Sequence, residues 1–228
     1  MPQYSPVETF ASGLSFALVD GRPVFMDERE DSYFLLEPEQ ETEFVGLLAP
    51  SAPPRPASAR LRQTLDLPAL PQTFVPAYCP AAEHSLLDDP SVRRTARLAE
   101  IIKLWRLVRQ VRRSLKERPI RSLLDGLQTG EPSAAEPPPA DQLIARAHGF
   151  ATARRAVPIA PNCLTDSLAL LVWLGPERSA ATLVFGVKLD PFAAHCWVQA
   201  GTMLLNDRVD EIARFQPVRT VACSPATH

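Results

Sequence analysis

The first part of the chain alternates hydrophobic and polar positions with the period of a β-strand. Leu14, Phe16 and Leu18 share one face of a predicted strand. Asp20-Gly21, directly behind them, is a strong signal for a hairpin turn. Two further apolar runs predict the returning strands of the same antiparallel sheet, at 24–26 and 32–36.

Helical signals follow the third strand. Pro38 suits the first turn of a helix, and a second helix is predicted over about 57–66. Four prolines then interrupt residues 68–80, which are too broken for a helix. Residues 14–66 are therefore predicted to fold as β-β-β-α-α, with an edge strand available for pairing. We expect a domain boundary between about 80 and 90.

A period of 3.6 residues predicts a long helix from about 92 to 117. Its predicted apolar stripe comprises Leu98, Ile101, Trp105, Val108 and Leu115. Between 93 and 121 the chain carries eleven Lys and Arg residues against Glu100 and Glu117 alone, a net charge of 11 − 2 = +9. Two interpretations stay open: a solvated face whose cations pair with carboxylates elsewhere, or a docking surface for an acidic partner. Nucleic acid is disfavoured, since no aromatic residues are interleaved for base stacking.

Two more helices are predicted before the chain changes character, one over 141–153 and a buried one after the polar lead-in Pro161-Asn162. The buried helix repeats its apolar face at i, i+4 and i+7, in Leu164, Leu168 and Leu171. Cys163 would lie in its first turn, where unpaired N–H groups and the helix dipole favour thiolate over thiol. A lone cysteine is more often a small buried residue, so the functional interpretation depends on residues downstream.

Strand-rich segments follow Gly175-Pro176, at 181–187, 195–199, 202–207 and 219–222. Helices first and strands after is the order of an α+β domain. A hairpin of two antiparallel strands would place Asp207 beside His195, and the helix end could bring Cys163 to the other side of the imidazole. A nucleophile, an imidazole and a group orienting that imidazole are what a cysteine peptidase requires. Cys196 should point away from His195, because neighbouring strand side chains alternate.

Composition narrows the function classes. The 228 residues are 46% hydrophobic and 22% charged, with net charge −2, which is ordinary for a globular protein and argues against a nucleic-acid binder. The four cysteines are widely spaced without CxxC, which fits a reducing compartment. A metal site built from Cys163, His195, Cys196 and Cys223 lacks ligand spacing.

Neither a signal peptide nor an apolar run of the roughly 20 residues that span a bilayer is present in the sequence. We therefore expect a soluble cytoplasmic protein with no membrane or nucleic-acid partner and no metal or other cofactor.

Four segments together resemble the B protein of lasso-peptide biosynthesis. They read NCLTDSLAL at 162–170, FGV at 185–187, PFAAHCWVQ at 191–199 and LND at 205–207. That family has a papain-related, transglutaminase-like α+β peptidase domain, which removes the leader from a ribosomally made precursor and works with an asparagine-synthetase-like cyclase. The resemblance implies Cys163 as nucleophile, His195 as base and Asp207 as orienting group.

The chain departs from the family pattern at positions beside these residues. Asp166 stands where the family usually has a basic residue, and Cys196 and Gln199 replace the usual Ala and Glu. Papain relatives take an oxyanion donor from a Gln before the cysteine, and none lies near here. The backbone N–H of Cys163, together with Asn162, is the expected oxyanion donor.

The N-terminal pattern is similar to the winged-helix-like PqqD domain, which recognises leader peptides. The resemblance implies that a leader adds as a strand to the sheet edge formed by Tyr33, Phe34, Leu35 and Leu36, by β-augmentation. The predicted domains are 1–83 for leader recognition and 84–228 for the cysteine peptidase. Two alternatives stay open: transfer of the acyl group to an amine instead of water, and a non-catalytic scaffold that only binds the precursor.

Overall fold

The protein is described here by a computed structural model that covers residues 10, 13–48, 56–69, 74–89, 95–128 and 139–224. The fold is α+β, as predicted. A three-stranded antiparallel sheet with two helices is followed by a five-stranded sheet with helices packed against it. Within these residues, every helix is either too short or too polar to cross a membrane.

The N-terminal elements confirm the predicted β-β-β-α-α order. They are β1 (Leu14–Val19), β2 (Arg22–Asp27), β3 (Ser32–Leu35), α1 (Pro38–Leu48) and α2 (Ala59–Leu65). The sheet order is β1-β2-β3, and all pairing is antiparallel. Asp20 and Gly21 both have positive φ, at 51° and 80°, as a two-residue hairpin turn of type I′ requires.

Both faces of this sheet are buried. The alternation of hydrophobic and polar residues had predicted that only one face would be buried. Phe16 and Phe25 pack with Phe44 of α1 in an aromatic core on one face. The residues of the other face belong to the large core of the C-terminal half; they are Ala17, Val19, Val24 and Met26. Leu18, which was expected to share the buried face of Phe16, is instead 36% exposed.

The second sheet carries the predicted C-terminal strands and one strand that the sequence did not indicate. Its strands are β4 (His84–Ser85), β5 (Thr182–Lys188), β6 (Ala193–Ala200), β7 (Met203–Leu204) and β8 (Gln216–Ala222), in the order β4-β7-β6-β5-β8. The predicted hairpin of β6 and β7 is present, although β7 is only two residues long and Asp207 lies beyond it. β4 was missed because two residues carry no detectable alternation.

The helices that support this sheet are α3 (Leu98–Glu117), α4 (Ile120–Gln128), α5 (Ala140–Arg154), α6 (Cys163–Leu174) and the short α7 (Val209–Ile212). The long helix was expected from about 92, but it begins at Leu98, and 90–94 lie outside the described residues. The predicted stripe is confirmed except for its first residue. Val108 is buried, and three further members pack against the core, namely Ile101, Trp105 and Leu115. Leu98 is instead 71% exposed. Leu104 and Val111 are also buried on the face that meets α5 and α6.

A buried ion pair joins the two halves of the chain. Arg219 of β8 donates to Glu28, which follows β2, over 2.5 Å, and both side chains are almost completely buried. Hydrogen bonds from Gln199 to the carbonyl of Pro80 and from Ser85 to the carbonyl of Asp207 bind the connecting segment to the second sheet. The predicted division at 83/84 stays a prediction, and the two halves on either side of it share a core.

Candidate active site

Cys163 is the first residue of α6, as predicted. Asn162 precedes the helix as its N-cap, and its side-chain oxygen accepts the backbone N–H of Thr165 over 3.0 Å. An Asn cap of this kind satisfies one of the N–H groups that a helix start leaves unpaired. Cys163 is half-buried, and its sulfur accepts the backbone N–H of Leu164 in the first turn of the helix.

His195 and Asp207 are neighbours in space across the β6–β7 hairpin. His195 Nε2 and Asp207 Oδ2 are 2.5 Å apart. The second carboxylate oxygen of Asp207 accepts the N–H of Arg208 over 2.7 Å. The hydroxyl of Ser85 donates to the Asp207 carbonyl over 2.6 Å. Hydrogen bonds to both carboxylate oxygens and to the backbone carbonyl of Asp207 therefore hold its side chain in place.

Cys163 completes the cluster through a hydrogen bond with His195, and the two groups shift each other's pKa. The bond to His195 lowers the Cys163 pKa despite partial burial, and backbone N–H groups of Leu164 and Cys196 lower it further. The bonds to Asp207 and then Cys163 raise the pKa of His195 to about 9. Both shifts favour the pair of a thiolate and an imidazolium, which is the reactive form of a nucleophilic cysteine.

Asp207→Asn should lower the pKa of His195, because the carboxylate is the largest cause of the value of about 9. A neutral amide cannot stabilise the imidazolium by charge, so the imidazole should lose its proton at lower pH. The pair of a thiolate and an imidazolium should therefore change to a thiolate and a neutral imidazole at lower pH. Titration of the imidazole carbon protons by NMR measures the shift directly. An unchanged His195 titration would contradict the assignment of Asp207 as its partner.

Two residues that the sequence did not single out hold the nucleophile helix against the histidine strand. Asn206 accepts the N–H of Val198 over 2.8 Å and donates to Ser167 over 2.9 Å. Ser167, on α6, in turn donates to the carbonyl of Cys196 on β6 over 3.2 Å. This chain of bonds sets the distance between α6 and β6. Asn206-Asp207 reads as an ordinary turn in the sequence, so no local signal marks this role.

Arg154 and Asp166 organise the segment before Cys163. Arg154 donates to Asp166 over 2.8 Å and to the carbonyl of Ile159 over 3.0 Å, and Asp166 accepts the N–H of Asn162 over 3.3 Å. The ion pair is mostly buried, so Arg154 balances the negative charge that Asp166 brings close to the thiolate. The N–H and side-chain oxygen of Asn162 are thus engaged, which leaves its side-chain NH₂ as the group it could offer to an oxyanion.

Aromatic rings fix the orientation of the imidazole. His195 lies between Trp197 and Phe215, with ring centroids 6.2 and 5.2 Å away. Gly186 is the cross-strand partner of His195, and a Cβ built there would lie 2.6 Å from the Trp197 ring. Gly186 is therefore required for the close approach of Trp197 to β5. Gln199, a departure from the family pattern, accepts the indole N–H of Trp197 over 2.8 Å.

The other cysteines are removed from this chemistry. Cys196 and Cys223 are buried, as expected for the opposite face of β6 and for a core residue, and burial raises the pKa of both thiols, for Cys223 to about 11. Cys79 is half-buried, and burial likewise raises its pKa to about 11. In the part of the chain that the structure describes, no three His, Cys, Asp or Glu side chains are placed to hold a metal ion.

The predicted leader-binding strand divides its side chains between two cores. Phe34 stacks on Phe25 at 5.2 Å and Leu36 is buried, so both belong to the N-terminal core. Tyr33 packs against the core of the C-terminal half and contacts the ring of Phe192 at 5.8 Å. Leu35 is 41% exposed. β3 is the last strand of its sheet, and within the described ranges no strand pairs with its outer edge.

The comparison with known proteins agrees with this geometry. Residues 104–220, just over half of the chain, match the family model for the transglutaminase-like superfamily, Transglut_core3. The chain belongs to the transglutaminase-like superfamily. Over 46 residues it is also 44% identical to the microcin J25-processing protein McjB of Escherichia coli, which covers 20% of this chain and 22% of that protein. No solved structure gives a significant match.

The superfamily match includes Cys163, His195 and Asp207 together with α6 and β5 to β7. The two matches bear out the resemblance to the lasso-biosynthesis B protein that the sequence segments indicate. The superfamily match begins at residue 104, so the PqqD-like resemblance of the N-terminal sheet stays a prediction.

Proposed function

We propose that this transglutaminase-like protein is a cysteine endopeptidase that cleaves a ribosomally made lasso precursor at the leader–core junction. The observation that carries the proposal is the hydrogen-bonded series Cys163, His195 and Asp207, in which the pKa of Cys163 is lowered and that of His195 is raised, as covalent catalysis needs. The partial match to a protein named for processing a peptide gives the reaction class further support.

In the proposed mechanism, the Cys163 thiolate attacks the carbonyl at the junction, and the C=O electron pair moves onto oxygen. The N–H of Cys163 and the side-chain NH₂ of Asn162 are the proposed donors to this oxyanion. Collapse of the intermediate breaks the C–N bond while the imidazolium of His195 gives its proton to the leaving amine. Asp207 keeps the ring oriented and stabilises its charged form.

The second half of the reaction restores the enzyme. His195, now neutral, takes a proton from water as that water attacks the thioester. The C–S bond then breaks, the leader leaves with a new carboxylate, and Cys163 returns to thiolate. The core peptide departs with a free N-terminal amine, which is the group that an asparagine-synthetase-like cyclase would join to a side-chain carboxylate in a macrolactam.

The N-terminal sheet supplies the proposed site for the leader. The outer edge of β3 offers backbone N–H and C=O groups to an added strand, and Leu35 is the exposed side chain on it. Tyr33 on β3 contacts Phe192, three residues before His195. The proposed leader-binding strand is therefore in contact with the turn that leads into β6, the strand of the proposed base.

The test is to incubate the protein with a lasso precursor peptide and to determine the masses of the products. Two fragments whose masses sum to the precursor plus one water support hydrolysis, and Cys163→Ala should give neither fragment. A fragment heavier by an added amine would instead assign acyl transfer. If the unmodified protein binds the precursor but does not cleave it, the proposal is overturned and the protein is a non-catalytic scaffold.

Leader binding is tested separately with the inactive Cys163→Ala protein, so that cleavage does not interfere. Leu35→Asp should weaken the affinity for the leader by about tenfold, because it places a charge at the edge where the strand adds. Leu18→Asp is the matched control, since Leu18 has similar exposure in the same sheet but lies on β1. Equal effects of the two substitutions would contradict binding at β3.

A further inference from the structure

A second surface of the protein has no part in the proposed reaction. A groove of about 580 Å³ runs between α3 and the C-terminal end of α6. Its apolar lining includes Ile102, Val172 and Trp173, and its polar lining includes Lys103 and Arg106. We refer to it as the α3–α6 groove. Val172 is nine residues after Cys163 on the same helix, which corresponds to about 14 Å along the axis.

The apolar part of the α3–α6 groove is open to solvent. Val172 is 49% exposed, and Ile102 is 40% exposed. Leu98, one helical turn before Ile102 on the same face of α3, is also largely exposed. Grouped exposed apolar side chains within a polar surround are typical of a surface that binds another macromolecule.

The polar part is a row of exposed cations, most of which form no ion pair with a carboxylate of the described residues. The exposed Lys and Arg side chains of α3 between 103 and 116 number six, and among the described residues only Arg113 forms an ion pair, with Glu117. Lys103 instead lies over the Trp173 ring at 5.0 Å, and Arg109 over Trp105 at 4.9 Å. Of the two interpretations left open by the sequence, a docking surface is therefore the one that these six side chains favour within the described residues.

We propose that the α3–α6 groove docks an acidic amphipathic helix of a partner protein. The apolar face of such a helix would cover Ile102, Val172 and Trp173, and its carboxylates would pair with Lys103 and Arg106. This is the helix-in-groove mode, in which apolar anchors give affinity and flanking charges give orientation. A nucleic-acid backbone would use the cations but would leave the apolar lining exposed, so an acidic helix fits both halves of the groove.

The direct test measures binding of a fluorescent synthetic peptide of Glu and Leu, with every Leu on one helical face, by anisotropy. A scrambled peptide of the same composition has the same charge but no apolar face, and should bind at least about tenfold more weakly. Val172→Ser should weaken binding of the amphipathic peptide while leaving the charge of the protein unchanged. Equal affinity of the two peptides would show simple charge attraction and would overturn the proposal.

Two pairs of charge reversals on α3 test whether the peptide binds in the groove or is attracted by the basic charge of the whole helix. Lys103→Glu with Arg106→Glu should weaken peptide binding by about tenfold or more. Arg112→Glu with Lys116→Glu makes the same change in net charge on exposed positions outside the groove, and should change Kd by less than about threefold. Thermal unfolding confirms that both double variants fold. Equal losses in the two double variants would overturn the proposal.

Two further outcomes would assign the groove to another occupant. Duplex DNA that displaces the amphipathic peptide and binds more tightly would make the surface a nucleic-acid site. Self-association that is lost in Lys103→Glu/Arg106→Glu and kept in Arg112→Glu/Lys116→Glu would make the occupant a second copy of this chain. Either result contradicts an acidic helix of a partner protein. Cleavage of the precursor should be unaffected by these substitutions, so this proposal and the peptidase proposal fail independently.

Discussion

Replacing His195 with Ala is expected to lower kcat/KM for precursor cleavage by at least about 10³-fold at neutral pH. The substitution removes the group that protonates the leaving amine. It also removes the hydrogen bond that contributes most to the lowered pKa of Cys163, so the thiol should hold its proton to higher pH. The pH profile of Cys163 alkylation by iodoacetamide measures the second effect without any peptide substrate, and its midpoint should rise.

His148→Ala is the matched control for that experiment. His148 is a half-buried histidine on α5 that is not among the groups shifting the pKa of Cys163, so its replacement should leave the alkylation midpoint in place. Cleavage depends on the proton donor as well as on the thiolate, whereas alkylation depends on the thiolate alone, so the two measurements distinguish the two roles of His195. If His195→Ala abolished cleavage while the alkylation midpoint stayed unchanged, the thiolate would owe its stability to the helix start alone, and the proposed ion pair would be wrong.

Glu28→Gln is expected to lower the free energy of unfolding by about 3–5 kcal/mol, the usual cost of breaking a buried ion pair from one side. Glu28 and Arg219 are both almost completely buried where the N-terminal sheet meets β8. Without the carboxylate, the guanidinium charge is no longer balanced by the group that faces it. Urea denaturation, followed by circular dichroism, measures the loss.

The exposed ion pair of the same sheet provides the comparison. Arg22 and Glu41 are 3.2 Å apart at the surface, and Glu41→Gln should cost less than about 1 kcal/mol. The double variant Glu28→Gln/Arg219→Met should recover part of the loss, because it removes the buried charge as well as its partner. A Glu28→Gln protein as stable as Glu41→Gln would mean that the pair contributes nothing to joining the two halves.

The elements predicted well are those whose signals are local. The β1–β2 hairpin follows from alternation and from Asp20-Gly21, whose backbone conformation few other residue pairs adopt easily. The start of α6 at Cys163 follows from an Asn cap before a leucine repeat. The proximity of His195 and Asp207 also follows locally, because a short hairpin brings residues twelve positions apart into register.

The features that were missed depend on contacts between distant segments. The second face of β1 and β2 is buried because the C-terminal core packs against it. The sequence of residues 14–27 alone does not indicate which segment will pack there. α4 was not predicted, although it buries Ile120, Leu124 and Leu127. Pro119 ends the basic helix, and the residues after it read as a loop in the sequence. The Arg154–Asp166 pair joins residues on two helices, and spacing alone cannot signal it.

The contact between Tyr33 and Phe192 would have a kinetic consequence if the leader binds to β3 as proposed. A precursor held there would be tethered close to the active site, so its junction would meet the Cys163 thiolate at an effective concentration of roughly millimolar order, as for a short flexible linker. The junction itself would then need little affinity for the site. Cleavage would separate the core from the bound leader, so the core would diffuse away at once. The leader would stay on β3, and its departure would set the rate at which the next precursor is accepted.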